Sequence, residues 1–157
     1  MATLQETVAD FLAQKRIAVV GVSRSGDSSA NAIYKRLRDM GHEVFAVNPN
    51  ATEFEGDPCY ATVSAIPDGV AGAVIVTQPQ VTEQVVRECA EAGVTHIWMH
   101  RSFGQGSVSP AAVEYCRQHN ISVIPGGCPM MFCEPVDAGH KCMRWVLNLT
   151  GGLPKTV

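Results

Sequence analysis

Glycine, serine and arginine follow the first apolar run of the sequence, Ile17–Val20, and this combination is suited to holding phosphate. The segment reads Gly21-Val-Ser-Arg-Ser-Gly-Asp-Ser-Ser-Ala30 and precedes a helical pattern that begins near Asn31. A glycine permits a tight turn, and backbone N–H groups and serine hydroxyls donate hydrogen bonds to phosphate oxygens. A guanidinium pairs with phosphate through its planar fork. The candidate binding residues in this segment are Gly21, Val22, Ser23, Arg24, Ser28, Ser29 and Asn31.

The residues that follow the second predicted strand, Glu43–Val47, restrict the kind of nucleotide that the chain could bind. The Gly21–Ser29 loop has neither the G-x-G-x-x-G spacing nor the Gly-Lys-Ser/Thr ending of two common nucleotide loops. Asn48-Pro49-Asn50 stands where a nicotinamide dinucleotide site usually has an acid that holds the ribose hydroxyls. A neutral amide does not repel a phosphorylated ribose, so the pattern favours an adenine nucleotide with an unusual phosphate arrangement over NAD. The alternative is a turn that needs Gly and Ser for its geometry alone.

A second group of reactive residues lies near the C-terminus, with Cys128, Cys133, His140 and Cys142 spaced C-x4-C-x6-H-x-C. Zinc sites prefer more closely spaced pairs, and residues two apart on a helix point in different directions, so the spacing disfavours a metal. Two interpretations remain. One is a buried, proline-rich structural turn with free thiols. The other is thiol or redox chemistry, in which neighbouring cationic side chains lower a thiol pKa.

The remaining cysteines and the N-terminal residues indicate the compartment. Met1–Gln14 has no basic patch before an apolar stretch, so we expect no secretory signal, a cytoplasmic location and free thiols. Cys89 and Cys116 fall on helical core positions, where we expect them to act as small hydrophobic residues. Cys59 lies in Asp57–Tyr60, which we predict to be a turn.

Composition excludes several classes of protein. The chain has 157 residues, of which 46% are hydrophobic and 17% charged, and this balance favours a folded core over disorder. Its net charge of -3 argues against binding nucleic acid through a basic surface. No apolar run reaches the roughly 18–20 residues that a membrane-spanning helix needs, so we expect no membrane segment.

Apolar runs alternate with amphipathic helical patterns along the chain. A first helix follows the capping-box pattern Thr3-Leu-Gln-Glu6. Helices are then predicted over Asn31–Met40, from Val81 to Ala92, from Ser109-Pro110 to about His119, and over His140–Leu149. Strands are predicted at Ile17–Val20, Glu43–Val47, Ala73–Val76, His96–Met99 and Ile121–Ile124.

This alternation predicts an α/β fold, a Rossmann-like doubly wound parallel sheet of about five strands with helices on both faces. We expect one domain over residues 1–157, with a Cys-rich segment and terminal helix at 126–150. Ligands of such sheets bind beyond the carboxyl ends of the strands. Those ends are Gly21–Ser29, Asn48–Pro49, Thr77–Pro79 and His100–Gly104. Trp145 does not fit the inner face of the terminal helix, which leaves room for a homodimer interface.

Three motifs at these strand ends carry a family resemblance. Gly21-Val-Ser-Arg24, Val47-Asn-Pro-Asn50 and Thr77-Gln-Pro79-x-Val81 resemble those of the small stand-alone CoA-binding proteins. These proteins are similar to the CoA-binding domain of the succinyl-CoA synthetase alpha subunit. The similarity covers roughly residues 13–131. It implies that coenzyme A lies across the strand ends, with its diphosphate over Gly21–Ser29, its adenosine near Asn48 and Pro49, and its pantetheine arm past Thr77–Val81.

The resemblance predicts that the protein has a binding function. We expect a protein that binds coenzyme A or an acyl-CoA, a small-molecule ligand, without chemistry of its own. The candidate residues outside the first loop are Val47, Asn48, Pro49, Thr77, Gln78, Pro79, Val81 and His100. The alternative is a CoA- or nucleotide-using enzyme or a thiol-redox protein that works through His100 or through Cys128, Cys133 and His140. A third interpretation is a NAD(H)-responsive regulator, which Asn48 opposes.

Overall fold

Strands and helices alternate in the computed structural model, which describes residues 2–26 and 28–157. Met1 and Asp27 lie outside the described residues, and Asp27 belongs to the predicted phosphate loop. The helices are α1 (Leu4–Leu12), α2 (Ser29–Asp39), α3 (Pro79–Glu91), α4 (Pro110–Gln118) and α5 (Ala138–Thr150). The strands are β1 (Arg16–Val20), β2 (Glu43–Val47), β3 (Glu53–Phe54), β4 (Asp57–Tyr60), β5 (Gly72–Ile75), β6 (His96–Met99) and β7 (Ser122–Pro125).

The strands form one sheet in the order β3-β4-β2-β1-β5-β6-β7. Neighbouring strands are parallel except for β3 and β4, which are antiparallel. Val20 at the end of β1 pairs with Val47 of β2 on one side and Ile75 of β5 on the other, so the three carboxyl ends are level. The chain runs outward from β1 to β2 and β4 and then returns to β5. The order of strands therefore reverses beside β1, where parallel sheets bind their ligands.

Both faces of the sheet are covered, as the α/β pattern predicts. One apolar cluster packs α1, α2 and α5 against the sheet, and the other packs α3 and α4. Trp98 of β6 is fully buried in the first cluster and meets Phe11 of α1 edge to face, with ring centroids 5.5 Å apart. Cys89 and Cys116 are buried in the second cluster, which confirms their prediction as core residues.

The prediction of about five strands was too low, and the prediction of a turn at Asp57–Tyr60 was wrong. Asp57–Tyr60 is strand β4, and the turn lies just before it. Glu55 and Gly56 both have positive φ, 54° and 81°, as in the two-residue turn that joins β3 and β4 as a hairpin. Because β3 has two residues and β4 contains a proline, neither has the apolar, β-branched composition by which strands are recognised.

Local signals placed the starts of α1 and α4 correctly, whereas α2, α3 and α5 each begin two residues before the predicted position. The side chains and backbones of Thr3 and Glu6 form the predicted reciprocal capping box of α1. Ser109 caps α4 by accepting a hydrogen bond from the Ala112 N–H. Trp145 and Leu149 of α5 are 63% and 68% exposed, and the homodimer interface expected there stays a prediction. Within the described residues, no helix has the length and hydropathy that crossing a bilayer requires.

Candidate functional site

A cleft of about 380 Å³ opens at the carboxyl ends of β1, β2 and β5, beside α3. Seven residues predicted from the sequence line it: Gly21, Val22, Val47, Asn48, Pro49, Thr77 and Val81. Seven further lining residues were not predicted: Val20, Ala61, Thr62, Val63, Gln84, Val85 and Glu88. Val85 and Glu88 lie four and seven positions after Val81, so helical periodicity contained a signal for them. Residues 61–63 follow the unrecognised strand β4 and had no such signal.

Gly21 allows three strand ends to meet at the floor of this cleft. Its φ is +105°, and its N–H donates to the Val47 carbonyl at 3.0 Å. A Cβ placed on Gly21 would lie 2.0 Å from the carbonyl oxygen of Val76, which follows β5. Any side chain there would separate β1 from β5, so glycine is required both by the backbone conformation and by the close approach.

Asn48 connects the end of β2 to the loop after β1. Its Nδ2 donates to the Val22 carbonyl at 2.7 Å, and its Oδ1 accepts from the Asn50 N–H at 2.8 Å. Its backbone N–H donates to the Tyr60 carbonyl of β4 at 2.9 Å. The residue predicted from the sequence to favour a phosphorylated ribose thus also holds the wall of the cleft in place.

The buried side chain of Asn31 holds the backbone of the predicted phosphate loop by hydrogen bonds. It is 2% exposed, and its Oδ1 accepts from the Ser23 N–H at 2.8 Å while its Nδ2 donates to the Ser23 carbonyl at 2.9 Å. Ser28 caps α2 by accepting from the Asn31 N–H. The Arg24 side chain is exposed. The amide of Asn31 is therefore used within the loop, and Arg24 is the cation on its outer surface.

The ends of β5 and β6 are joined by hydrogen bonds. The Thr77 N–H donates to Ser107 Oγ at 2.9 Å, and the Thr77 hydroxyl lies 2.8 Å from that of Thr82 in α3. Gln78 is the N-cap of α3, and Pro79 is its first residue. His100 is 8% exposed, and its N–H donates to the Ile75 carbonyl. Burial, with a smaller contribution from nearby His140, lowers the pKa of His100, so its imidazole is neutral near pH 7.

A second cavity, of about 560 Å³, lies on the α2 and α5 side of the phosphate loop. One wall comes from the loop and α2: Gly26, Ser28, Ser29, Ala32 and Lys35. The other comes from residues after β6 and β7 and from α5: Ser102, Cys128, Met130, His140 and Met143. The fold thus brings two predicted phosphate-loop serines to the same cavity as Cys128 and His140, which are more than 95 residues away in the sequence.

The buried cysteines of the C-terminal segment agree with the interpretation of a structural turn with free thiols and not with that of activated thiols. Cys128 and Cys133 are 2% and 1% exposed, and burial raises the pKa of each thiol to about 11. The redox alternative required nearby cations to lower a thiol pKa, and desolvation outweighs any such effect at Cys128 and Cys133. Among residues 2–26 and 28–157, no three His, Cys, Asp or Glu side chains are grouped so that they could hold a metal ion.

The residues of the cleft and its loop fall within a region shared with known proteins. The profile of the CoA binding domain family matches residues 15–134. The chain belongs to this family. The match includes every strand of the sheet and ends just before α5. The resemblance seen in the three strand-end motifs is therefore confirmed.

Relatives of this CoA binding domain include an ADP-forming acetate–CoA ligase I of Archaeoglobus fulgidus, 30% identical over 120 residues. The alignment covers 73% of this chain but 18% of the ligase. A solved structure of a hypothetical protein from Pyrococcus horikoshii has a TM-score of 0.77 at 24% identity and covers 87% of this chain and 96% of that one. A conserved hypothetical protein from Pyrococcus furiosus has a TM-score of 0.62 at 35% identity, covering 69% and 90%. The Rossmann-like fold is confirmed.

Proposed function

We propose that this chain binds coenzyme A or an acyl-CoA across the carboxyl edge of its sheet. The observation that carries the proposal is the cleft at the point where the strand order reverses, directly beside the Gly21–Ser29 loop. Its volume of about 380 Å³ is within the usual range of small-molecule sites, roughly 300–1,000 Å³. Membership of the CoA binding domain family supports the same ligand.

The adenosine of the ligand fits the chemistry of the cleft. Apolar side chains form much of its walls: Val47, Pro49, Val63, Val81 and Val85. A flat aromatic base is stabilised between such surfaces because its faces are removed from water. At the end of β2 the neutral Asn48 stands where a dinucleotide site would have a carboxylate, so a ribose that carries a phosphate is not repelled.

The diphosphate fits the loop and the start of α2. Hydrogen bonds join Asn31 to Ser23 and to Ser28, and such bonds at the two ends of the loop lower the entropy cost of binding. The N-terminus of α2 carries partial positive charge, and Arg24 is free to turn toward a phosphate oxygen. Gln78 and Pro79, at the start of α3, and Thr77 before them border the path of the pantetheine arm.

We propose binding without chemistry of its own. Acid–base or thiol catalysis needs groups that exchange protons near neutral pH. Burial instead keeps the thiols of Cys128 and Cys133 protonated, which disfavours thiol catalysis. The chain also spans 18% of the length of the acetate–CoA ligase that it resembles, so the ligase reaction is not transferred to it.

Replacing Val81 tests the proposal. Val81 lines the cleft and is 46% exposed, so Val81→Glu adds a carboxylate to the site with little effect on folding. We expect CoA affinity, measured by isothermal titration calorimetry, to fall at least tenfold. Gln80→Glu is the matched control, because it adds the same charge to the preceding exposed residue of α3, which does not line the cleft. Failure of the unmodified protein to bind CoA, or equal losses in both variants, would contradict the proposal.

A further inference from the structure

The second cavity has no role in holding adenosine, yet it borders the same loop from the opposite face of the sheet. Its apolar surface comes from Ala32, Met130 and Met143, and Cys128 adds a neutral thiol. Lys35 pairs with Glu55 at 3.4 Å, and His140 Nδ1 lies 2.6 Å from Asp137 Oδ2. The cavity therefore has an apolar side, formed by Ala32, Met130 and Met143, and a polar side, and the apolar side suits an uncharged aliphatic group.

This cavity and the cleft proposed for adenosine lie along the same carboxyl edge of the sheet. Moving along the carboxyl edge from β2, the strand ends present Asn48, Gly21, Thr77, Ser102 and Cys128 in turn. Neighbouring strands lie about 4.8 Å apart, so the four intervals from β2 to β7 amount to about 19 Å. An extended CoA molecule spans a distance of this order. A ligand with its adenosine at β2 and its diphosphate at β1 thus carries its thiol end past Thr77 toward Ser102 and Cys128.

We propose that the second cavity receives the acyl group of an acyl-CoA, and that the preferred group is a short, uncharged aliphatic chain. The acyl chain packs against Ala32, Met130 and Met143. The thioester carbonyl lies near the polar side chains of Ser102 and His140, which line the cavity. This inference rests on the proposed function, because it needs CoA to be bound across the carboxyl edge.

A chain-length series tests the inference. Calorimetry compares CoA with acetyl-, butyryl- and hexanoyl-CoA, and we expect affinity to rise about fourfold for each methylene buried. Ala32 is exposed, so Ala32→Phe can fill the cavity without disturbing the core. This variant should lose the gain with chain length and still bind free CoA within about twofold of the unmodified protein. The matched control is Ala111→Phe, the same change at an exposed position of α4 outside the cavity, and it should keep the gain.

The outcomes separate the two proposals. If the unmodified protein does not bind CoA, the proposed function fails and this inference fails with it. If CoA binds but affinity is independent of chain length, or if Ala32→Phe retains the full gain, the acyl site is overturned while CoA binding stands.

A reactive ligand gives an independent readout of where the acyl end lies. Burial leaves little Cys128 thiolate at neutral pH, but in bound bromoacetyl-CoA the acyl methylene is held beside Sγ, so this thiolate displaces bromide faster than it reacts with a free reagent. A C–S bond forms, the C–Br bond breaks, and the thiol proton passes to solvent. We expect one adduct, mapped to Cys128 by peptide mass spectrometry, blocked by excess CoA and absent in Cys128→Ala. Bromoacetamide, which has no CoA portion, should instead modify the exposed Cys142. A bromoacetyl-CoA adduct confined to Cys142, or one that CoA does not block, would overturn the placement.

Discussion

Gly21→Ala tests whether the floor of the cleft depends on the close approach of β1 and β5. Two effects act at this position. An L-residue at positive φ costs about 1–2 kcal/mol, and Gly21 has φ +105°. The new Cβ also meets the Val76 carbonyl oxygen at 2.0 Å, and relieving such an overlap in a packed region costs about 1–3 kcal/mol more. We therefore expect Gly21→Ala to lower the free energy of unfolding by about 2–5 kcal/mol.

Gly41 offers a matched control because it separates the two effects. It has φ +94°, but a Cβ placed on it meets no atom within 4 Å. Gly41→Ala should therefore lose only the conformational part, about 1–2 kcal/mol. Urea denaturation followed by circular dichroism gives both values from the shift in midpoint at constant slope. Equal losses in the two variants would refute the close approach at Gly21. Under native conditions, Gly21→Ala alone should also weaken CoA binding.

Three further predictions concern charge, thiol reactivity and the pH dependence of stability. Arg24→Ala should weaken CoA binding by about 1.5–3 kcal/mol, roughly 10–150-fold. The control is Arg117→Ala, which removes an exposed arginine from the last turn of α4 and should leave the dissociation constant unchanged. Iodoacetamide at pH 7.5 should modify exposed Cys142 well before Cys128, and early modification of Cys128 would contradict its burial. Burial raises the pKa of Cys128 to about 11 in the folded protein. The contribution of this protonated thiol to the free energy of unfolding should be intact below the ordinary thiol pKa of about 8.5. It should be lost as pH rises through about 11.

The sequence predicted the sheet well wherever a strand is buried on both faces. Ile17–Val20 is an unbroken apolar run, and His96–Met99 ends in three apolar residues, because parallel strands covered by helices need apolar side chains on both sides. The hairpin of β3 and β4 was missed for the opposite reason. It lies at the edge of the sheet and contains Pro58, and β4 is held to β2 by only two residue pairs.

The candidate site was predictable in part. Gly21 and Asn48 stand at strand ends, and the carboxyl ends of parallel strands converge, so their place in the cleft followed from local pattern alone. The same pattern did not reveal that the amide of Asn31 would be used to hold the loop, or that the amide of Asn48 would bond to the Val22 carbonyl. Such hydrogen bonds depend on the direction in which a side chain points after the backbone has folded.

By itself the sequence determined the alternation of strands and helices, the caps of α1 and α4 and the position of the Gly21–Ser29 loop after β1, because each depends on neighbouring residues. The tertiary structure decided which distant residues share a cavity and what state they are in. Ser29, Ser102, Cys128 and His140 meet only because the sheet order brings the ends of β1, β6 and β7 to one edge. The same packing removes water from Cys128 and raises its pKa, which decides between the structural and redox alternatives that the sequence left open.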